Sequence, residues 1–186
     1  GQLYTDAWCP VGHSFLKKGP TLTQSFANRY HPDIPRNKVT AYNTWSIWRR
    51  IRKWLQGPGG QRQRYQSYMG IGSEFAKRVR RDLAGEQAEG SQPVFFGYDT
   101  GSLEVLDHLH ATDWFTIVDQ IDPGPVQTEI TRREIDRWPG WAVHEPIHYE
   151  PYERRRRAEW DLASAVVVNS EWSKRALVRE GVAPEK

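Results

Sequence analysis

Cysteine and methionine are nearly missing from this chain of 186 residues: Cys9 and Met69 are the only ones. A lone cysteine cannot close an internal disulfide, which suits a reducing compartment. No run approaches the roughly 18 apolar residues that a membrane-spanning helix needs. No signal peptide is visible, so a cytoplasmic location is expected. A Walker-type phosphate loop and internal repeats are also absent. The chain opens in mid-pattern at Gly1-Gln-Leu-Tyr-Thr and stops at Pro184-Glu-Lys, which reads as a fragment of a longer protein. At this length we expect one domain with one core.

Acid is scarce in one place. From Asn43 to Arg81, ten basic residues face the single acid Glu74, a balance of +9, so the rest of a chain of net charge +3 carries −6. Such a one-sided field attracts an anionic partner (phosphate, lipid head group or nucleic acid), or it marks a solvated helical face. Within it, Trp45, Trp48, Ile51 and Leu55 recur at helical spacing among Arg49, Arg50, Arg52 and Lys53. Core packing on a sheet is the favoured reading of this amphipathic segment. Peripheral membrane contact through 45–55, at the inner membrane face, stays open.

Elsewhere strand and helix patterns alternate. Leu3-Tyr4-Thr5 reads as a strand tail, Thr21 to Tyr30 as a short helix and Lys38 to Tyr42 as a short strand. Gln56-Gly-Pro-Gly-Gly60 breaks the Trp-rich helix, and Tyr65 to Leu83 forms a second basic helix. From Pro93 on, the pattern is cleaner. Pro93–Tyr98, Trp114–Val118 and Ala165–Val168 are short apolar runs that read as buried strands, and helical patterns follow at 102–110, 126–137, 152–162 and from Glu171. Alternation of this kind predicts an α/β fold with a parallel sheet covered by helices on both faces. Ser170 is placed as an N-cap, Glu171 suits the first turn, and Gly181 stops that helix.

Three predicted strands end in polar residues: Asp99, then Asp119 with Gln120 and Asp122, then Asn169 with Ser170. In a parallel sheet these tips share one edge, where open α/β proteins bind ligands. The plain alternative is turn and cap chemistry.

Several motifs tempt and are set aside. His144-Glu-Pro-Ile-His148 has the written form of a zinc protease motif, but Pro146 would break the helical turn that the ligands need. Gly70-Ile-Gly72 lacks the third glycine and the preceding strand of a dinucleotide fingerprint, which disfavours a nicotinamide oxidoreductase. Arg154 to Arg157, flanked by Glu150, Glu153, Glu159 and Asp161, reads as an exposed salt-bridged helix.

The segment Trp160 to Lys186 resembles the end of the N-terminal domain of family-4 glycosyltransferases of the GT-B fold, and Pro93 to Asp122 looks like the two preceding strands. The resemblance covers about half the chain, residues 93–186, and is loose over 1–92, which holds the basic helices at 43–83. It implies an incomplete Rossmann-like, acceptor-side domain lacking its first strand, with the donor-binding C-terminal domain absent. The implied activity is retaining hexosyl transfer from a nucleotide sugar to a glycan or lipid-linked hydroxyl acceptor, without metal or further cofactor. The isolated chain is then expected to be inactive. Many relatives carry a histidine where this chain has Asp119, so Asp119 is the implied catalytic position. Asp99, Gln120, Asp122, Asn169, Ser170 and Glu171 would line the acceptor cleft, and Trp138 and Trp141 could stack on a sugar ring or simply pack in a loop. The alternative is a non-catalytic α/β binding module that turns its basic face to nucleic acid or an acidic partner; under the leading reading, nucleic acid is not expected.

Overall fold

The computed structural model describes residues 1–9, 18, 21–57, 59–84, 91–140 and 147–186. It is a mixed α/β structure with two small parallel sheets and seven α-helices among the described residues. Its contacts divide into two compact units, Gly1–Gly59 and Gly60–Lys186. The boundary falls in the glycine-rich break after the Trp-rich helix, where Gly57 takes a φ of +71° that favours a residue without Cβ.

In the first unit, β1 (Leu3–Thr5) pairs in parallel with β2 (Val39–Ala41), with Tyr4 beside Thr40. Between them lie α1 (Thr21–Ala27) and a short 3-10 turn at Arg36–Lys38. Helix α2 (Asn43–Gln56) follows β2 directly. Its first residue is clamped: Asn43 Oδ1 accepts from the Trp8 N–H at 2.8 Å, and Asn43 Nδ2 donates to the Trp8 carbonyl at 2.9 Å. Asp6 takes Arg29 as an ion-pair partner and lies 3.5 Å from Arg49 of α2. Ala7, Trp8, Cys9 and Ala27 are buried here, and Cys9 is in no disulfide.

The second unit opens with the long helix α3 (Gln61–Leu83). Then β3 (Val94–Tyr98), α4 (Leu103–Leu109), β4 (Phe115–Gln120), α5 (Pro125–Arg137), α6 (Glu150–Leu162), β5 (Ala165–Val168) and α7 (Glu171–Arg179) follow. The sheet order is β3-β4-β5, all parallel, with Gly97 beside Val118 and Val118 beside Val166. Leu106, Val118 and Ala163 form the core, with Phe95 and Leu162 packed on it. Leu106 and Val118, both fully buried, contribute about 1.5–3 kcal/mol each. Pro151 sits in the first turn of α6, where its missing N–H removes no helical bond.

Two departures from expectation matter. Strand β4 runs to Gln120, so Asp119 and Gln120 are ladder residues facing Val167 and Val168 and not loop residues. The sheet was also expected to carry helices on both faces. On the face with Phe95, Gly97, Val118 and Gln120 the residues are largely buried, but on the other face Val94, Phe96 and Tyr98 are 57%, 52% and 61% exposed. Gly70 and Gly72 lie inside α3 and form no strand-to-helix turn themselves. A Cβ on Gly72 would sit 2.0 Å from the Thr100 carbonyl oxygen, so that glycine lets α3 approach the turn after β3.

A carboxylate and aromatic cluster at the strand ends

Because side chains alternate along a strand, the parallel register decides which tip residues meet. Tyr98, Asp119 and Val167 stand in one row on the open face. Asp99, one residue past Tyr98, continues the ladder by donating its N–H to the Asp119 carbonyl at 3.1 Å, which aligns it with Gln120 on the covered face. The candidates at this edge are therefore split: Asp99, Gln120 and Asp122 come together, and Asp119 faces the other way.

Gln120 is fully buried and central. Its Nε2 donates to Asp99 Oδ2 at 3.3 Å and to the Asp122 carbonyl at 2.9 Å, and its Oε1 accepts from the Trp160 indole at 2.8 Å. Asp122 Oδ1 accepts from the Gly124 N–H at 2.7 Å and from Arg156 at 2.6 Å. Gly124 holds a φ of +71° in this turn, a conformation costly for any other residue. Arg156 also binds Glu153, and its guanidinium lies over the Tyr152 ring at 5.0 Å and the Trp160 ring at 5.8 Å. Tyr65 of α3 packs 4.9 Å from Tyr152 and 5.9 Å from Tyr149.

The electrostatics follow from this crowding. Burial, with Asp122 adding to it, pushes the Asp99 carboxyl from 3.8 up to about 6, even though Arg156 and the Gln120 bond pull it down. Burial and the nearby Asp99 charge raise the Tyr152 hydroxyl, and burial raises Tyr65. Burial works against the Arg156 charge, but Asp122 and Glu153 outweigh it and hold the guanidinium ionised.

A second knot lies beside the first. Glu159, wholly buried on α6, accepts from three backbone N–H groups: Thr100 at 2.5 Å, Ser102 at 3.0 Å and Leu103 at 2.9 Å. It thereby caps α4, whose own Ser102 side chain instead donates to the Tyr98 carbonyl at 2.7 Å. Burial pushes Glu159 from 4.5 up to about 7, against the pull of the three N–H groups and Arg155. Arg155 grips both oxygens of Glu104, at 3.0 and 2.7 Å, and its Nε donates to the Thr100 carbonyl at 2.8 Å. Thr100 sits at a φ of +63°, a strained position for a β-branched residue.

The remaining candidates are dispersed. Asn169 Nδ2 donates to the Ile121 carbonyl at 3.3 Å, which ties the β5 tip to the β4 tip. Ser170 caps α7 by accepting the Ser173 N–H at 3.1 Å, as the sequence pattern indicates, and Glu171 is exposed in the first turn. Trp138 ends α5, 59% exposed, with Arg137 5.7 Å from its ring. Trp141 and residues 144–146 of the His-Glu-Pro-Ile-His motif lie outside the described residues.

Sequence reasoning missed Tyr152, Glu153, Arg155, Arg156, Glu159 and Trp160. The arginine run was expected to be exposed. Arg154 and Arg157 do face outward, to Glu150 and Glu180, but Arg156 is 2% exposed and the Arg155 side chain only 9%. The available signal was the spacing of Tyr152, Arg156, Glu159 and Trp160, a stripe at intervals of three and four with charges on its apolar side. Comparison with protein-family models, curated proteins and solved structures finds no match for this chain.

Proposed function

We propose that this chain forms the acceptor side of a nucleotide-sugar-dependent glycosyltransferase, a Rossmann-like half of a GT-B enzyme that transfers a hexose to a hydroxyl acceptor. The observation that supports this best is the meeting of Asp99, Gln120 and Asp122 at the carboxyl edge of one parallel sheet, beside the rings of Tyr65, Tyr149 and Tyr152. Carboxylates recognise sugar hydroxyls, the buried Gln120 amide holds Asp99 and Asp122 together, and aromatic rings cover the apolar face of a pyranose. A carboxyl raised to about 6 suits a proton acceptor working near neutrality. Of the two aspartates we therefore assign that role to Asp99. Asp119, on the opposite face between Tyr98 and Val167, stays the candidate if the acceptor approaches from there. The donor would be held by a second domain outside this chain.

Chemical-shift mapping with simple methyl hexosides tests the reading on the chain itself. Weak saturable shifts at residues 99, 120, 122 and 152, lost in Asp99→Asn and kept in Asp119→Asn, are expected. Silence at those residues, together with salt-steep oligonucleotide binding, would instead support a non-catalytic module using the basic surface of α3. Arg62, Arg64, Lys77, Arg80 and Arg81 are exposed there.

A further inference from the structure

Helix α2 is oriented in a way that its composition does not predict. At 100° per residue, Trp54, Ile47, Ile51, Leu55 and Trp48 fall within an arc of about 120°. That arc is exposed: Ile47 47%, Trp48 68%, Ile51 43%, Trp54 77% and Leu55 72%. The opposite side, polar apart from Trp45, is the one held by the first unit. Ser46 is 1% exposed with its hydroxyl 3.4 Å from Asp6, Arg49 reaches Asp6 at 3.5 Å, and Arg50 donates to the Ser25 hydroxyl at 3.2 Å. A helix that packs on a protein core does the reverse.

Charge says what covers the arc. Residues 43–56 contain four basic residues and no acid, and the arc is edged by Arg50 on one side and Arg52 on the other. Across Gly1–Gly59 nine basic residues stand against two acids, a net of +7. One of those acids, Asp6, is engaged by Arg29 and Arg49. A second copy of this face would set cation against cation. An anionic lipid surface satisfies both halves of the pattern: tryptophans favour the head-group boundary, and flanking arginines meet lipid phosphates.

We propose that α2 docks the first unit onto an anionic membrane surface, lying in the plane of the interface with Trp48, Ile51, Trp54 and Leu55 inserted. At 1.5 Å per residue the helix is about 21 Å long. It can lie on a bilayer without crossing it, and no helix among the described residues is long and apolar enough to cross. This inference stands apart from the sugar-transfer reading and from the residues that carry it.

Vesicle co-sedimentation of the full chain tests it. Phosphatidylcholine vesicles containing about a third phosphatidylglycerol should retain the protein, and pure phosphatidylcholine should not. Trp48→Ser with Trp54→Ser should weaken retention more than tenfold, and Arg52→Gln, at the edge of the arc, about fivefold. Because all three residues are exposed, melting curves should match the parent. The proposal is overturned if the parent ignores anionic vesicles or binds neutral ones equally. Retention of the tryptophan variant at parental strength overturns it too, since α2 would not be the docking element. A concentration-dependent dimer that the tryptophan variant abolishes, without vesicle binding, assigns the face to a second copy and also sinks the idea.

Discussion

Replacing Asp99 by Asn should stabilise the fold at pH 8 and leave it nearly unchanged at pH 4. In the folded chain burial and Asp122 raise the Asp99 carboxyl from 3.8 to about 6, so between these values the native state holds a proton that the unfolded chain releases. The sign follows from linkage: the carboxyl's contribution is fully present below about 3.8 and is lost as pH rises through about 6. At about 1.36 kcal/mol per pH unit, the ionised Asp99 costs the fold about 3 kcal/mol at pH 8. Asn keeps an oxygen to accept from Gln120 and removes the charge facing Asp122. Its new amide must find a partner, so a gain of about 1–2 kcal/mol is expected at pH 8. Urea denaturation of both proteins at the two pH values gives the difference directly. Equal destabilisation at pH 4 and pH 8 would refute the reasoning, because the residue would then act through shape and hydrogen bonding alone. A stabilising Asp99→Asn identifies a carboxylate kept against the interest of the fold, a mark of function.

Other substitutions test the supporting network. Glu159→Ala removes the acceptor of three N–H groups and should cost about 3–5 kcal/mol in urea unfolding. Glu159→Gln should cost less and should flatten the fall in stability that the parent shows as pH rises from about 4.5 through about 7. Arg156→Ala strands Asp122 and Glu153 and should destabilise by about 3–5 kcal/mol, with Arg156→Lys recovering only part because it cannot bridge both carboxylates with one planar fork. The two glycines of α3 should separate in thermal melts: Gly70→Ala, with open space around it, should gain about 0.5–1 kcal/mol, and Gly72→Ala, driven against the Thr100 carbonyl, should lose about 1–3 kcal/mol.

Legibility differed between the backbone and the site. Short β-branched runs such as Ala165–Val168 and capped starts such as Ser170 were readable because local chemistry decides them. Gln120 was seen as a polar tip, but not its central place, since only continued pairing of β4 through Gln120 sends Gln120 to the covered face and Asp119 to the open one. The arginines of α6 were misread for a related reason. Glutamates at spacings of three and four fit an exposed helix equally well, and only the tertiary position of Asp122, 34 residues earlier, draws Arg156 inward. Helix α2 shows the complementary limit: its amphipathic pattern was plain, but a pattern does not say which side its own unit holds.

The occupied donors at the sheet edge narrow what can bind there. Helix N-termini at strand ends attract phosphates when their N–H groups are free. Here Glu159 takes those of Thr100, Ser102 and Leu103, Asp122 takes that of Gly124, Pro125 has none, and Ser170 takes that of Ser173. Asp99, Asp119 and Glu171 add negative charge along the same edge. What the edge offers is acceptors and aromatic rings, which match neutral ligands rich in hydroxyls and repel anions. Pyrophosphate titrated into the chain should therefore leave the resonances of residues 99–102, 122–124 and 170–173 in place, whatever it does at the cationic first unit. Saturable pyrophosphate shifts at those turns would contradict this, because an anion there would have to displace Glu159, Asp122 or the Ser170 hydroxyl from the N–H groups they hold.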